Sequence, residues 1–382
     1  MVFVNHIVDC QSPFVIFFLL LCNFYRKLKT MQNQFMIYGA NGYTGALIAQ
    51  EAVARGVRPI LAGRNAVALA ALAGELELDY RVVALDDPAG LDNLLDGVTA
   101  VLHCAGPFVF TSQPMADACL RNRVHYLDIT GEIGVFEALA ARDVAAKAAG
   151  VMLLPGVGFD IVPSDCLAAH LKRRLPSATH LTLGLRALGG LSQGTAMTGL
   201  EAVARGEGGM VRRDGKLTPV PNAWKTRAID FGRGPRPAVT IPWGDVAAAW
   251  YSTGIPNIEV YMAFPQSMIN AMKISRYFGW VFAVPGVKAF AANRIRSGAP
   301  GPDEEARRQG ISLLWGRAED AHGNAAEARM QTPEGYTLTV FSSLLIVEKV
   351  LAGAVKPGFQ TPSLAFGPDL VLEIAGVTRT DG

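Results

Sequence analysis

Short apolar runs alternate with alanine- and leucine-rich stretches along residues 31–155. The apolar runs predict strands at 35–38, 59–62, 81–84, 100–103, 126–128 and 151–154. The stretches between them predict helices near 45–55, 66–76, 91–95, 115–121 and 136–149. This alternation is typical of βαβ units, so the pattern predicts one complete α/β domain with a doubly wound parallel sheet over residues 31–155.

The pattern changes after Pro155, and residues 156–382 predict a second, α+β domain. Helices are predicted at 165–175, 195–205 and 337–351, and strands at 181–187, 258–264 and 310–317. The stretch 206–234 is rich in glycine and arginine and is predicted to be loop. We expect this domain to hold the substrate and to contribute to any homodimer.

Residues 277–295 are unusually apolar, but Pro285 and Gly286 divide them. The stretch is too short and too interrupted to span a bilayer. We favour a helical hairpin buried against the sheet. The alternatives are a lid over an apolar substrate and a contact with a membrane surface.

Residues 1–30 contain an apolar run, 14–22, that is followed by Arg26, Lys27 and Lys29. A signal peptide carries its positive charge before the apolar run, and a spanning helix needs about 20 apolar residues. Met31 stands directly before the first predicted strand. We therefore expect residues 1–30 to be an extension from an upstream start site, outside the fold, and favour this over a membrane anchor.

The composition is that of a globular protein: 50% of the 382 residues are hydrophobic and 18% are charged. The net charge is only +2 and no long basic run occurs, which argues against a nucleic-acid partner. The five cysteines form no C-x-x-C pair and no metal-site spacing, so a reducing cytoplasm and no metal are expected. Cys104 is interpreted as a buried thiol rather than a redox group. A small-molecule ligand fits these properties best.

The segment Gly39-Ala-Asn41-Gly42-Tyr43-Thr44-Gly45 follows the first predicted strand and opens a helix. This context is that of the phosphate-binding turn of a Rossmann domain, although the spacing is G-x-x-G-x-x-G rather than G-x-G-x-x-G. Gly39 permits the tight turn, Gly42 lets the backbone approach a pyrophosphate, and Gly45 lets the helix pack against the sheet. The pyrophosphate is expected at the helix N-terminus, where N–H groups are unpaired.

Arg64 follows the second predicted strand, where an NAD enzyme places an acidic residue for the ribose 2′-hydroxyl. A guanidinium binds a 2′-phosphate through charge-assisted hydrogen bonds, so the position predicts NADP(H) rather than NAD. Asp86 is either a contact for the adenine amine or a solvated loop acid. Ala105 and Gly106 follow the fourth strand and are expected to let the nicotinamide ribose lie against bare backbone.

The motifs together resemble those of the saccharopine dehydrogenase-like oxidoreductases, and within them the short branch similar to trans-acting enoyl reductases. The resemblance rests on residues 39–45, 63–64, 104–108, YLDITGE at 126–132, GFDIVPSD at 158–165, 335–336 and PGFQTP at 357–362. It implies a Rossmann domain, a second domain on a mixed sheet, and NADP(H)-linked oxidoreduction in the cleft between them. The apolar stretch 277–295 suggests an apolar or amphipathic substrate with an enoyl, imine or carbonyl group. The alternative is a non-catalytic NADP-binding protein that associates with lipid surfaces or partners.

Candidate catalytic residues follow the fifth and sixth strands, because ligands of open α/β sheets bind at the carboxyl ends of the strands. Asp128, Asp160 and Ser164 are the predicted catalytic residues, with Glu132 and Asp165 beside them. A partly buried carboxyl with a raised pKa can exchange a proton with the reacting centre. Structural alternatives are that Ser164 caps the helix predicted near Asp165 and that Glu132 caps the next helix. The strand-end histidines, His103 and His125, are expected to make structural hydrogen bonds.

Overall fold

The computed structural model describes residues 34–188, 192–194, 196–197, 200, 208–275 and 284–382. The predicted extension 1–30, most of the predicted helix 195–205 and residues 277–283 lie outside the described residues.

The first sheet has seven parallel strands. Six come from the N-terminal part of the chain: β1 (Phe35–Tyr38), β2 (Ile60–Gly63), β3 (Tyr80–Val82), β4 (Ala100–His103), β5 (His125–Asp128) and β6 (Met152–Leu154). Helices α1 (Tyr43–Ala54), α2 (Ala66–Leu76), α3 (Pro88–Leu94), α4 (Phe108–Asn122), α5 (Ile133–Ala140) and α6 (Asp143–Ala149) connect them. The predicted strands and helices are confirmed, with ends shifted by a few residues and the last predicted helix divided in two.

Across the sheet the strands lie in the order β6-β5-β4-β1-β2-β3. From β1 the chain adds β2 and β3 on one side and then β4, β5 and β6 on the other, so the strand order reverses between β1 and β4. Tyr38 of β1 pairs in register with His103 of β4, so their carboxyl ends lie side by side. β1, β2 and β4 are buried along their whole length, as is typical of parallel strands covered by helices on both faces. In open α/β sheets the loops diverge at such a reversal and ligands bind there, outside the carboxyl ends of the strands.

The second sheet is mixed and has nine strands. In chain order these are β7 (His180–Leu188), β8 (Gly209–Arg213), β9 (Lys216–Val220), β10 (Thr226–Asp230), β11 (Pro235–Thr240), β12 (Asn257–Ala263), β13 (Ile311–Glu319), β14 (Ala325–Pro333) and, later, β16 (Thr378–Asp381). Among the strands that the structure describes here, β7 and β12 alone pair in parallel. Helices α7 (Val162–Arg174), α8 (Asp245–Thr253), α9 (Gln266–Ser275), α10 (Pro285–Arg296) and α11 (Glu304–Gln309) belong to this half of the chain.

The prediction of loop at 206–234 is wrong, because β8, β9 and β10 lie there. β8 and β9 form a hairpin that turns at Asp214 and Gly215, which have φ of 48° and 75°. An Asp-Gly pair with two positive φ angles gives the turn that matches the twist of antiparallel strands. The glycine and arginine content hid this local signal.

The end of the chain returns to the first sheet. Helix α12 (Gly335–Leu351) packs against α1 and β4, and β15 (Gly358–Phe359) pairs in parallel with β6 as the seventh strand. Ser342 of α12 donates a hydrogen bond to the Val157 carbonyl at 2.7 Å. Helix α13 (Pro362–Phe366) follows β15. The buried core is therefore shared between the two sheets.

The described part of the apolar stretch 277–295 is not buried, contrary to the favoured prediction. Within α10 the Phe290 side chain is 73% exposed, and Ala292 is a buried exception. An apolar composition alone does not determine which surface meets a helix, and here no described element covers Phe290.

Candidate functional site

The glycine turn after β1 lies against the end of β4. Gly39 has φ of +84°, and its N–H donates to the Ala62 carbonyl at 2.7 Å. A Cβ at Gly39 would lie 2.8 Å from the backbone nitrogen of Ala105. Only glycine fits this turn, because a side chain would meet backbone and the φ angle would be strained.

Helix α1 begins directly on the turn. Gly42 is its N-cap residue and no side chain caps the helix, so the N–H groups of Tyr43 and Thr44 have no side-chain acceptor. A Cβ at Gly45 would lie 2.5 Å from the Gly39 carbonyl oxygen. The helix end is thus bare and close to the turn, which is the arrangement that binds a phosphate group.

Arg64 stands at the end of β2, beside the turn. Its side chain is exposed and forms no hydrogen bond or ion pair with a residue that the structure describes. Asn41 packs over Gly63, the residue before Arg64, because a Cβ on Gly63 would lie 3.3 Å from Asn41 Oδ1. A free guanidinium beside a bare turn fits the 2′-phosphate of a dinucleotide.

Asp86 is exposed, and it follows the carboxyl end of β3 as Arg64 follows that of the parallel neighbour β2. Both act on Tyr38, whose hydroxyl donates to the Val83 carbonyl at 2.9 Å. Burial raises the pKa of Tyr38 to about 12, while Arg64 opposes the rise and Asp86 adds to it. The structure therefore brings Arg64 and Asp86 to one edge of the sheet.

The Tyr43 side chain turns toward the second half of the chain. Its hydroxyl donates to the Pro302 carbonyl and accepts a hydrogen bond from Arg307 Nη1 at 2.9 Å. The ring meets Tyr336 edge-on, with centroids 5.1 Å apart. Sequence reasoning missed Arg307, because nothing local marks it as a neighbour of the turn.

Ala105 and Gly106 precede α4, and Glu132 closes the start of that helix. Glu132 Oε1 accepts from Phe108 N and Oε2 from Val109 N, each at 2.8 Å. Glu132 is the N-cap residue of the next helix along the chain, α5, as the structural alternative expected, but its side chain does not cap that helix and reaches back across the sheet edge to α4. This carboxylate therefore lies beside the predicted nicotinamide position.

Asp160 lies at the joint between the two halves of the chain. Its Oδ2 lies 2.8 Å from the position of a Cβ on Gly131, so the side chain packs over that glycine. The carboxylate has no hydrogen-bond partner among the described residues and is partly exposed. Its backbone carbonyl accepts from Trp243 Nε1 at 2.9 Å. Burial, with a smaller contribution from Glu132, raises the pKa of Asp160 to about 7.

Asp128, in contrast, is completely buried and fully bonded. Oδ1 accepts from Thr130 N and Gly156 N at 2.9 Å each, and Oδ2 accepts from Tyr126 Oη at 2.8 Å. Burial raises its pKa to about 7 although these donors lower it. The side chain ties the ends of β5 and β6 together, and this favours a structural role.

Ser164 is also buried, inside α7. The helix begins at Val162 with Ile161 as N-cap, so the alternative that Ser164 caps it is wrong. The Ser164 hydroxyl donates to Asp245 Oδ1 at 2.5 Å. Burial raises the pKa of Asp245 well above its ordinary value. Asp245 was missed by sequence reasoning because it lies 81 residues from Ser164 along the chain.

Asp165 accepts a hydrogen bond from Ser363 N at 2.7 Å and is buried. His125 Nδ1 accepts from Met152 N at 3.2 Å, so its predicted structural hydrogen bond is confirmed. The same prediction for His103 is wrong: both of its ring nitrogens lack partners among the described residues, and Tyr38, Phe108 and Tyr126 surround the ring. Burial lowers the pKa of His103 to about 3.

Burial raises the pKa of the Cys104 thiol, which disfavours a reactive thiolate. Across the described residues no group of His, Cys, Asp and Glu is arranged to hold a metal ion. In the same part of the chain, every helix is too short or too polar to cross a membrane.

Comparison with known proteins shows which domain family and which proteins the chain is similar to. Residues 35–154 match the model of the family described as the saccharopine dehydrogenase NADP binding domain. A saccharopine dehydrogenase-like oxidoreductase of Bos taurus is 24% identical over 54% of this chain and 48% of that protein. A trans-acting enoyl reductase of Mycobacterium ulcerans is 31% identical over 38% of each chain. The matches thus span less than half the length of these relatives.

A solved structure shares the fold at low sequence identity. It is an apo saccharopine dehydrogenase (L-Glu forming) from Saccharomyces cerevisiae, with a TM-score of 0.63 and 12% identity over 92% of this chain and 100% of that one. The family resemblance expected from the motifs is confirmed. The match at residues 35–154 is thus to an NADP-binding domain, and the similar proteins named here are an oxidoreductase, a reductase and a dehydrogenase.

Proposed function

We propose that the protein is an NADP(H)-dependent oxidoreductase that transfers hydride to or from an apolar or amphipathic substrate. The observation that carries the proposal is the arrangement at the carboxyl edge of the first sheet. There the bare turn Gly39–Gly45 lies at the strand reversal, and Arg64, which has no partner among the described residues, follows the adjacent β2. Asp160 lies beside Gly131 at the joint. Bound NADPH would supply the hydride.

The cofactor residues divide by the part of the dinucleotide that each would hold. The N–H groups at the start of α1, with Gly39, Asn41 and Gly42 around them, would hold the pyrophosphate. Arg64 would bind the 2′-phosphate, and Asp86 would face the adenine. Ala105 and Gly106 would lie along the nicotinamide ribose, because Gly106 presents no side chain there.

Asp160 is the proposed proton donor and acceptor. When hydride is added to a carbon–carbon, carbon–nitrogen or carbon–oxygen double bond, the electron pair left on the neighbouring atom takes up a proton. A carboxyl with a pKa of about 7 holds such a proton near neutral pH and can also accept it in the reverse direction. Asp128 and Ser164, predicted as catalytic, would act behind Asp160 by holding β5, β6 and α7 in place.

Two observations support the proposed substrate class. Trp243 and Phe159 line the joint beside Asp160, where Phe159 packs on Gly335. One relative is named as an enoyl reductase. An enoyl group is therefore the first substrate to test, with imines and carbonyls as the other two classes.

The test is a binding and turnover measurement on the purified full chain. NADPH fluorescence is titrated first, and NADPH consumption is then followed with enoyl, imine and carbonyl substrates. Asp160→Asn should keep NADPH affinity and lose most of the turnover, with Asp79→Asn at the opposite edge of the sheet as the control. Tight NADPH binding without consumption on any substrate would contradict the enzyme proposal.

A lipid-associated NADP-binding protein is the second candidate. The exposed side chains on α9 and α10 favour it: Met268 is 49%, Ile274 59% and Phe290 73% exposed, and Arg294 and Arg296 lie in the last turn of α10. Phe290→Glu should reduce flotation with vesicles rich in anionic lipid.

Val67→Glu, at another residue that is 82% exposed, is the matched control for that flotation assay. Equal flotation of wild type and Phe290→Glu would contradict membrane contact. A cytoplasmic location and a homodimer stay predictions, to be tested by cell fractionation and by light scattering.

A further inference from the structure

A segment of the second half of the chain lies over the dinucleotide turn. We call residues 298–310 the strap. Gln193 holds its beginning, where Gln193 Nε2 donates to the Gly298 carbonyl at 2.7 Å and the Gln193 N–H donates to the Pro300 carbonyl at 3.0 Å. At its end, a Cβ on Gly310 would lie 2.7 Å from Glu334 Cγ. The strap is thus fixed at both ends.

The centre of the strap contacts Tyr43, the first residue of α1. A Cβ on Gly301 would lie 2.6 Å from the Tyr43 ring, so only glycine permits this approach. The Tyr43 hydroxyl and Arg307 Nη1 both donate to the Pro302 carbonyl, the second at 2.8 Å. Arg307 Nη1 also donates to the Tyr43 hydroxyl at 2.9 Å, which closes a three-membered network.

Among the described residues Arg307 has no ion-pair partner, and some of its donors are unused. Its side chain is half-buried, and among the described residues its Nε and Nη2 groups donate to nothing. Glu334 is close enough to interact with it electrostatically, but the Glu334 carboxylate accepts from Tyr336 N and Thr337 N at the start of α12. A half-buried guanidinium without a carboxylate partner suits an anionic ligand.

We propose that Arg307 is part of the dinucleotide site, where its guanidinium faces the pyrophosphate. The inference rests on the proposed function, because it presupposes a dinucleotide at the turn. The helix end offers only partial charges to a group with two negative charges, and a full positive charge beside Tyr43 complements them. Arg307 also holds the strap on Tyr43, so cofactor binding and the position of the strap are linked.

The experiment separates the pyrophosphate from the 2′-phosphate. Dissociation constants are measured for NADPH, NADH and adenosine 2′-monophosphate, which lacks the pyrophosphate. Arg307→Gln should weaken NADPH and NADH by the same factor, about tenfold or more, and leave adenosine 2′-monophosphate unchanged. Arg307→Lys should restore part of the affinity because it restores the charge. Arg308→Ala, the neighbouring arginine that pairs with Glu305, is the matched control and should change nothing.

Ionic strength gives a second measurement, because an ion pair with phosphate weakens as salt is added. NADH affinity of the wild type should fall more steeply with salt than that of Arg307→Gln. The inference is overturned if Arg307→Gln binds NADPH and NADH as the wild type does. It is also overturned if adenosine 2′-monophosphate is weakened equally, since this would indicate a general loss of structure. A wild type that binds no dinucleotide would overturn the proposed function together with this inference.

Discussion

Arg64→Ala is expected to weaken NADPH binding and leave NADH binding unchanged. The two ligands differ only in the 2′-phosphate, and Arg64 is the exposed guanidinium at the end of β2 beside the turn. A hydrogen bond to a charged group is worth about 1.5–3 kcal/mol, which corresponds to roughly ten- to hundredfold in the dissociation constant. Fluorescence titration or calorimetry with both cofactors measures the effect.

The structure also indicates that this variant leaves the fold intact. Arg64 makes no hydrogen bond or ion pair with described residues, so its removal should not change the free energy of unfolding. Arg123→Ala is the control, because Arg123 is an exposed arginine of the same half at the opposite edge of the sheet. The reasoning is refuted if Arg64→Ala weakens NADPH and NADH equally, or if it leaves NADPH affinity at the wild-type value.

Three further predictions concern single residues of the site. Gly45→Ala should abolish NADPH binding and lower the melting temperature, because its Cβ would lie 2.5 Å from the Gly39 carbonyl oxygen. The control is Gly74→Ala, at a helical glycine whose Cβ would have nothing within 4 Å, and it should add about 1 kcal/mol of stability. Equal behaviour of the two variants would refute this reasoning. Burial raises the folded pKa of Asp160 from 3.8 to about 7, so the stability that its protonated form contributes is complete below about pH 4 and lost as the pH rises through 7. Urea unfolding of Asp160→Asn should therefore show a flatter pH dependence than the wild type between pH 4 and 7, and an identical dependence would contradict the raised pKa. Glu132→Ala should destabilise the protein by about 2 kcal/mol, because it removes two charged acceptors from the start of α4, and a cost near zero in the same urea assay would show that the cap is unimportant.

The geometry of the glycine turn at residues 39–45 could be predicted from the sequence because its constraints are local. Gly39 needs a positive φ and Gly45 must clear the turn a few residues before it, so the spacing of the glycines reports the geometry directly. The central N-terminal strands β1, β2 and β4 were predictable for a similar reason, since each is a short, buried and mainly apolar run of a parallel sheet. The hairpin at Asp214 and Gly215 has an equally local signal, the Asp-Gly pair, which the glycine- and arginine-rich composition of the surrounding residues obscures.

The candidate proton donor was harder to predict, because the environment of a carboxyl depends on what packs around it. Asp128 and Asp160 both follow strands of the first sheet, and burial raises the pKa of each to about 7. Their roles differ only in three dimensions. Asp128 is enclosed by three donors, whereas Asp160 is partly exposed over Gly131 and has no partner among the described residues.

By itself the sequence determined the α/β class, the position of the glycine turn and the resemblance to the saccharopine dehydrogenase-like oxidoreductases, because these depend on patterns within a few residues or within one motif. Only the tertiary structure decided which distant residues meet. It places Arg307 on Tyr43 across 264 residues, Asp245 on Ser164 across 81, and α12 on the face of the first sheet. Such contacts depend on how whole helices and strands pack, and the sequence around a residue carries no signal for a contact with a residue far away along the chain.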